Sequence, residues 1–288
     1  MPHCSALAYK QFQTIILNPI TQMGIKCRGI ADNLFFDNWL LLLIQRLFFR
    51  GSSLVVYKKK QLRFIVDFAG GDASGTRYCL TSDMYSRYYK HWNQSRPLTV
   101  LDLGANGGGF LLSLCDRGFT IQQAVCVEMN PQLYTRLTFN LAYNHIAAVP
   151  VNAAVSARSG IVEIPDSHGG TGESIYQQRI STTKTVPVPL TTFDELVASH
   201  FGSSSDAALD IVKMDVEGAE YEILLSTTCS SIRRFKYLLM EIHNNPTSSI
   251  SINGLIEHIH RMGFSDFEDF PGCNQGVYLF RNIELLQS

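Results

Sequence analysis

The sequence predicts an α/β fold built on a doubly wound, mostly parallel sheet. From Leu98 onward, apolar segments of strand length alternate with segments of helical periodicity. The strand segments show almost no internal alternation of polar and apolar residues, as expected of strands that helices cover on both faces. Repeated β-α units of this kind form a parallel sheet with right-handed crossovers. Two late segments, 264–270 and 276–282, predict a closing antiparallel hairpin.

The individual elements follow in a regular order along this part of the chain. The predicted strands are 99–104, 124–129, 148–155, 210–216 and 237–243. The predicted helices are 108–117, 131–144, 191–200, 218–227 and 250–262. Between 156 and 190 lies a stretch rich in Gly, Ser and Thr, with strand-like pieces at 161–164 and 185–190. Because long loops in compact domains are often functional, we expect its Gly-rich part, 169–172, to fold over a substrate.

Residues 1–97 are predicted to form an accessory segment, helical with short strands, beside a larger domain at 98–288. An apolar stretch at 34–49 is interpreted first as a mostly buried helix, with a membrane-surface helix and a homodimer contact as alternatives. Its longest uninterrupted apolar run, Trp39 to Ile44, is far shorter than the ~20 residues of a transmembrane helix. Aromatic residues recur with helical spacing near the end of the segment and are expected to pack on the next domain: Tyr85, Tyr88, Tyr89 and Trp92.

Composition and charge exclude several classes of function. The 288 residues include 24 Lys and Arg against 25 Asp and Glu, a formal net charge of -1. This balance lacks the positive field of a protein that binds phosphate backbones, so no nucleic-acid partner is expected. The seven cysteines form no Cys-x-x-Cys pair, so neither a zinc ribbon nor a disulfide framework follows. We therefore expect a cytoplasmic, reducing location.

The first predicted strand leads into a glycine-rich turn followed by a helix. The turn comprises Gly104, Ala105, Asn106, Gly107 and Gly108. Glycine lets a ligand approach the backbone closely, and the helix N-terminus offers unpaired N–H groups. The glycine spacing fits the pyrophosphate fingerprint poorly. An acid just before the loop, at position 102 (Asp102), suits a cofactor that carries a cationic amine.

The ends of the second and third strands extend this candidate cofactor site. Glu128, followed by Met129, closes the second strand, where an acid accepts the ribose hydroxyls of a nucleoside cofactor. The alternative is a charge at the N-terminus of the next helix. Asn152 and Ala153 end the third strand, where an amide side chain and a backbone N–H could read an adenine edge. The alternative is that Asn152 forms a turn.

The fourth and fifth strands end in a group of acids and a histidine. Alternation places Lys213, Asp215 and Glu217 on one side, and Glu241 and His243 likewise share a side. The carboxyl ends of adjacent strands form the ligand-binding edge of open α/β sheets, so we expect these side chains to converge. A histidine with an ordinary pKa near 6.5 can deprotonate a hydroxyl. A divalent metal on the carboxylates is the alternative, but no metal site is assigned.

The segments LDLGANGGGF, VEMNP, NAAVS, TVPVPLTTFDEL, DIVKMDVEGAE and LLMEIH follow one another between about residues 98 and 282. Together they resemble the FkbM-type family of S-adenosylmethionine-dependent methyltransferases. The resemblance implies a class I methyltransferase fold, with a seven-stranded sheet that contains one antiparallel strand. It also implies S-adenosylmethionine as cofactor and O-methylation of a hydroxyl on a sugar, a glycan or a secondary metabolite.

Within this reading, His243 is the candidate base and Asp215 lies near the methionine part of the cofactor. Glu217 and Glu241 would orient the acceptor or His243. A nicotinamide-dependent oxidoreductase is the alternative from another reaction class, because it shares the first loop and Glu128. A non-catalytic binding module that keeps the fold is a third reading. A nucleic-acid base methyltransferase is disfavoured, since no Asn-Pro-Pro-Tyr-like loop follows the fourth strand.

Overall fold

The computed structural model describes residues 32–48, 53–68, 73–167, 169, 184–203, 207–243, 248–266 and 276–287. The N-terminal part contains helix α1 (Trp39–Phe48), the hairpin strands β1 (Leu54–Lys59) and β2 (Leu62–Asp67), the short helix α2 (Tyr78–Thr81) and a 3-10 turn at Ser86–His91. The first half of the larger domain contains β3 (Leu98–Leu103), α3 (Gly109–Asp116), β4 (Ile121–Glu128), α4 (Pro131–Tyr143), β5 (Ala148–Asn152), β6 (Ala154–Val155) and β7 (Gly160–Pro165). The second half contains β8 (Thr185–Thr191), α5 (Phe193–Phe201), β9 (Leu209–Met214), α6 (Glu220–Leu224), β10 (Phe235–Glu241), α7 (Ile252–Arg261), β11 (Phe264–Asp266), β12 (Val277–Asn282) and α8 (Ile283–Gln287).

A seven-stranded mixed sheet organises the larger domain. Its strand order is β11-β12-β10-β9-β3-β4-β5, and only β12 runs antiparallel to its neighbours β10 and β11. The remaining pairs are parallel. This arrangement confirms the predicted doubly wound sheet with one antiparallel strand. It also brings the carboxyl ends of β3, β4, β9 and β10 to one edge, where the candidate site residues follow.

Apolar residues cover both faces of the sheet, as the strand composition predicts. On one face Phe193, Phe235 and Phe280 belong to a large buried cluster, and on the other Phe110 and Leu137 belong to a second. The aromatic residues of the N-terminal segment join the second cluster, which confirms their packing role: Tyr85, Tyr88, Tyr89 and Trp92. Burial of such rings stabilises the fold by roughly 1.5–3 kcal/mol per side chain.

Hydrogen bonds between asparagine side chains and the backbone of β2 hold the β1–β2 hairpin against helix α4. The Asn140 side chain accepts from the Ile65 N–H at 2.8 Å and donates to the Ile65 carbonyl at 3.1 Å. One helical turn later, Asn144 does the same with the N–H and carbonyl of Arg63, at 2.9 and 2.7 Å. Two asparagines thus satisfy the outer edge of β2 in the manner of a neighbouring strand.

Helix α1 does not match the expected mostly buried helix. Among the described residues, Leu42 is its only buried side chain, and Leu40, Leu47 and Phe48 are more than half exposed. The apolar run has the right length for a helix, but the hairpin beneath it covers only one narrow side. No helix in the described part of the chain is long and apolar enough to cross a membrane.

The described parts of the stretch between 156 and 190 contain two strands, β7 and β8, which join β6 in a small sheet. Strands β6, β8 and β7 pair in that order, with β7 and β8 antiparallel, at the two strand-like pieces. Apart from Gly169, the Gly-rich residues 169–172 lie outside the described residues. The predicted helix 218–227 is also divided. Helix α6 ends at Leu224, and Ser226 in extended conformation caps a 3-10 turn at Thr227–Arg234.

Candidate functional site

A cavity of about 520 Å³ opens at the carboxyl edge of the central strands. The larger domain contributes to its lining Gly104, Ala105, Asn106, Gly109, Phe110, Val127, Glu128, Met129, Ala153, Ala154, Val155, Lys213, Asp215, Val216, Glu217, Ala219 and Glu241. The N-terminal segment contributes Gly75, Arg77, Tyr78, Cys79, Met84 and Tyr85. Ligand pockets commonly have volumes of roughly 300–1,000 Å³, so this one has the size of a cofactor site.

The glycine-rich turn forms the floor of the cavity. Gly104 has φ of 73°, and a Cβ there would lie 1.8 Å from the carbonyl oxygen of Asp215, so only glycine fits. Its N–H and that of Ala105 donate to the Val127 carbonyl at 3.0 and 2.9 Å. The turn is thereby fixed to the ends of both neighbouring strands. Gly104, Ala105 and Asn106 line the cavity, whereas Gly107 faces Thr76 and Gly108 faces Leu137 instead.

Glu128 lies at the predicted place, at the end of β4, and lines the cavity. Its Oε2 accepts the Asn106 N–H at 2.9 Å, and its Oε1 accepts the Asn130 N–H at 2.8 Å. These two bonds orient the carboxylate at the edge of the cavity. Its neighbour Met129 also lines the cavity.

The structure corrects the expected role of the Asn152 side chain. Its Nδ2 donates to the carbonyls of Glu128 and Met129 at 2.9 and 3.0 Å, which uses both amide hydrogens. Asn152 therefore braces the end of β4 and is not among the residues that line the cavity. Its neighbour Ala153 does line the cavity.

Asp102 is also placed differently from the expectation. It is fully buried and is not among the residues that line the cavity. In the parallel register of β3 and β9 it stands beside Lys213, whose Nζ lies 3.4 Å from its Oδ1. Burial raises the pKa of Asp102, and Lys213 opposes that shift.

Lys213 is a site residue to which the sequence analysis assigned no role. Its Nζ donates to the Gly104 carbonyl at 2.8 Å and lies 3.2 Å from Oδ2 of Asp215. Burial opposes its charge, but the carboxylates of Asp215 and Asp102 outweigh burial and raise the pKa of Lys213. The lysine therefore stays protonated and joins the glycine turn to the end of β9. Lys213 and Asp215 are two residues apart in the sequence, and this spacing already indicates that they lie on the same side of the strand.

The predicted convergence at the ends of β9 and β10 centres on His243. Its Nε2 lies 3.4 Å from Oε2 of Glu217, 3.7 Å from Oε1 of Glu241 and 3.9 Å from Oδ1 of Asp215. Its Nδ1 lies 2.8 Å from Oε1 of Glu220. All four predicted residues thus meet, and Glu220 is the fifth member of the group.

The carboxylates change the charge of this histidine. Burial opposes the charged form, but Glu220 first, then Glu217 and Asp215, raise the pKa of His243 to about 9. The expected titration near 6.5 is therefore wrong for the protein alone. Burial and Asp215 raise the pKa of Glu241, and His243 opposes that shift. Three of these residues, Asp215, Glu241 and His243, place one ligand atom each within 4.8 Å of one another, a set that suits a hard divalent cation.

Comparison with known families identifies the domain that holds this cavity. Residues 102–266, more than half of the chain, match the methyltransferase FkbM domain. The chain belongs to the FkbM methyltransferase family. It is an S-adenosylmethionine-dependent methyltransferase. This assignment confirms the resemblance drawn from the sequence motifs and favours methyl transfer over hydride transfer to a nicotinamide.

Solved structures with similar folds are distant from this FkbM protein. M. jannaschii TYW2 in complex with AdoMet is 16% identical, covering 81% of this chain and 88% of its own, with a TM-score of 0.39. The M. jannaschii tRNA m1G37 methyltransferase is 12% identical, covering 81% and 58%, with a TM-score of 0.42. M. capricolum TrmK in complex with S-adenosyl-homocysteine is 10% identical, covering 71% and 70%, with a TM-score of 0.41. No curated protein matches the chain.

The residues of the FkbM cavity fit the cofactor in charge and in shape. S-adenosylmethionine carries two positive groups, a sulfonium and an ammonium, close to each other. The lining includes the carboxylates of Asp215 and Glu217 after β9 and of Glu241 at the end of β10, and that of Glu128 at the end of β4, on the other side of β3 in the sheet. Carboxylates complement a positively charged cofactor and accept hydrogen bonds from its hydroxyls.

Proposed function

We propose that this methyltransferase transfers its methyl group to a hydroxyl oxygen of a small neutral acceptor, a sugar, a glycan or a secondary metabolite. The observation that carries the proposal is the position of His243. It is partly exposed beside the cofactor cavity, with Glu217 and Glu241 within 4 Å of its Nε2. Methylation of a hydroxyl requires a group that accepts the departing proton, and His243 is the group best placed for it.

The charge of the cavity supports a neutral acceptor. Its carboxylates repel phosphate groups, whereas they accept hydrogen bonds from hydroxyls. The formal net charge of -1 agrees with this, since nucleic-acid partners select positive surfaces. We therefore expect no nucleic-acid acceptor.

When bound, S-adenosylmethionine supplies an electrophilic methyl group on a positively charged sulfur. The residues of the chain bind and align, which accounts for most of the acceleration in a reaction of this kind. A positive charge held in the same cavity lowers the pKa of His243 from its value of about 9. The neutral ring then keeps a proton on Nδ1, which donates to Glu220. Its unprotonated Nε2 faces the acceptor hydroxyl and takes the proton of that hydroxyl.

The experiment that tests this function pairs binding with turnover. Calorimetry with S-adenosyl-homocysteine measures the cofactor site, and mass spectrometry of a panel of neutral polyhydroxylated acceptors measures transfer. We expect binding, together with a product that gains one methyl group on oxygen. Tight binding with transfer to RNA and to no neutral acceptor would overturn the proposed acceptor class. Binding without any transfer would favour the non-catalytic module.

We also propose a cytoplasmic location and a supporting role for residues 1–97. The four cysteines within the described ranges, Cys79, Cys115, Cys126 and Cys229, are free thiols, which supports a reducing environment. The described part of the N-terminal segment buries its aromatic residues against the methyltransferase core, which supports a segment that depends on that domain for its fold.

A further inference from the structure

Tyr85 belongs to the N-terminal segment yet reaches the cofactor cavity. It lies outside residues 102–266, which match the FkbM domain, and it lines the cavity. Its side chain is 2% exposed, and its ring packs edge-on against Phe110 with centroids 5.6 Å apart. Its hydroxyl donates to Oδ2 of Asp215 at 3.2 Å. The tyrosine is therefore rigid and directed at one of the predicted cofactor ligands.

The two oxygens of Asp215 have different partners as a result. Oδ2 receives the Tyr85 hydroxyl and the Lys213 ammonium, each at 3.2 Å. Oδ1 lies 3.9 Å from Nε2 of His243. Oδ2 is thus held by two donors, and the residue that carries it lines the cavity. Burial and the neighbouring Asp215 raise the pKa of Tyr85, so its hydroxyl keeps its proton and remains a donor.

The N-terminal segment also contacts the glycine turn through Thr76. The Thr76 hydroxyl donates to Oδ1 of Asn106 at 3.2 Å. A Cβ on Gly107 would lie 2.2 Å from Thr76 Oγ1, and one on Gly109 would lie 2.7 Å from the Thr76 carbonyl oxygen. These contacts hold the N-terminal segment against the glycine turn on the chain side that leads to Tyr85.

We propose that Tyr85 is a positioning residue for the amino-acid end of the cofactor: with Lys213 it holds Asp215 so that Oδ1 faces the cofactor's ammonium group. The proposal rests on the proposed function of the cavity as an S-adenosylmethionine site. It makes the N-terminal segment part of the lining of that site and supplies Asp215 with a hydrogen-bond donor from outside the residues that match the FkbM domain.

The test compares two ligands that differ only at that end. S-adenosyl-homocysteine carries the amino and carboxylate groups, whereas 5′-methylthioadenosine lacks both. Y85F keeps the ring that packs on Phe110 and removes only the hydroxyl. Y88F is the matched control, because Tyr88 is equally buried and its hydroxyl donates to the Val277 carbonyl at 2.7 Å, on β12 and away from the cavity lining.

In the full chain, we expect Y85F to weaken S-adenosyl-homocysteine about tenfold, the size of a lost hydrogen bond to a charged group, and to leave methylthioadenosine unchanged. Y88F should change neither affinity. In a D215N background, Y85F should have no further selective effect, because both changes act through the same carboxylate. Equal weakening of the two ligands, or no weakening of either, would overturn the proposal. A wild-type protein that binds neither ligand would instead overturn the cofactor assignment on which the proposal rests.

Discussion

Oε1 of Glu220 lies 2.8 Å from Nδ1 of His243, and Glu220 is fully buried. The same carboxylate accepts the backbone N–H groups of Val216 and Gly218 at 3.2 and 2.8 Å. Because its position is fixed by the turn that precedes α6, it decides which ring nitrogen of His243 keeps a proton. The other nitrogen, Nε2, is therefore the one available to chemistry in the cavity.

Glu220→Gln should lower the pKa of His243 from about 9 toward its ordinary value. Burial already opposes the charged ring, and Glu220 is the foremost of the groups that stabilise it. A pH titration of the His243 ring by NMR measures the shift. Glu257→Gln, at an exposed position on α7, is the control and should leave the titration unchanged.

The same variant should change how stability depends on pH. The pKa of His243 is higher in the folded protein than in the unfolded chain, so its contribution is fully present below about pH 6.5 and is lost as pH rises through about 9. After discounting for solvent screening, we expect the unfolding free energy of the wild type to fall by about 2 kcal/mol across that window. Urea unfolding should show a flatter curve for Glu220→Gln. Parallel curves would contradict the assignment.

His243→Ala should lower turnover by about 10²–10⁴, the usual contribution of a general base, with cofactor affinity nearly unchanged. The control is His260→Ala, because His260 is exposed, pairs with Asp266 on β11 and does not line the cavity. Turnover on an identified acceptor, measured from pH 6 to about 10, separates the roles. A variant within a factor of about 3 of the wild type throughout would show that His243 is structural.

Chelation should leave turnover unchanged if His243 acts as the base without a metal. The alternative is a divalent ion on Asp215, Glu241 and His243, whose ligand atoms are close enough to share one. The measurement is turnover after dialysis against EDTA, followed by addition of Mg²⁺ or Mn²⁺. Loss of activity that the added ion restores would replace the histidine base with a metal-assisted one.

Glu128→Ala should weaken S-adenosyl-homocysteine by about 1.5–3 kcal/mol, the value of a hydrogen bond to a charged group. The variant removes the ribose acceptor and also leaves the N–H groups of Asn106 and Asn130 without their carboxylate. Calorimetry gives the affinity, and thermal unfolding shows whether the protein is folded. Unchanged affinity in a folded variant would remove Glu128 from the cofactor site.

A chain that starts at Leu98 should aggregate. Tyr89 and Trp92 pack against Phe110 and Phe119, and their removal exposes those apolar surfaces. The measurement is size-exclusion chromatography beside the full chain. A monomeric, fully active product would show that the N-terminal segment is dispensable.

Strand direction alone decides the position of one part of the site. The meeting of Asp215, Glu217, Glu241 and His243 was predictable, because parallel neighbouring strands end at one edge. The burial of Asp102 beside Lys213 was not predicted. It depends on which residue of β9 stands beside Asp102, and this register cannot be read from one strand. The role of the Asn152 side chain was not predicted either, because its amide donates to the end of the neighbouring strand β4.

Contacts between distant segments were beyond such reasoning. Tyr85 was correctly expected to pack on the larger domain, but periodicity says nothing about where its hydroxyl ends. Helix α1 was expected to be mostly buried because its residues are apolar, yet composition does not show how much surface the hairpin offers. The pKa of His243 likewise depends on carboxylates that come together only in the folded chain.

The asparagines that bond to β2 have a consequence for how the protein avoids sticking to itself. An unpaired strand edge is a template on which another chain can add a strand. Residues two apart on a strand are separated by roughly 6.6 Å, and residues four apart on a helix by roughly 6 Å, so Asn140 and Asn144 match the spacing of Ile65 and Arg63. The two side-chain amides thereby bond to the N–H and carbonyl groups of the β2 edge, as the backbone of a neighbouring strand would. Because the bonds go to main-chain atoms, the hairpin's own side chains can drift in evolution without opening that edge to a second molecule.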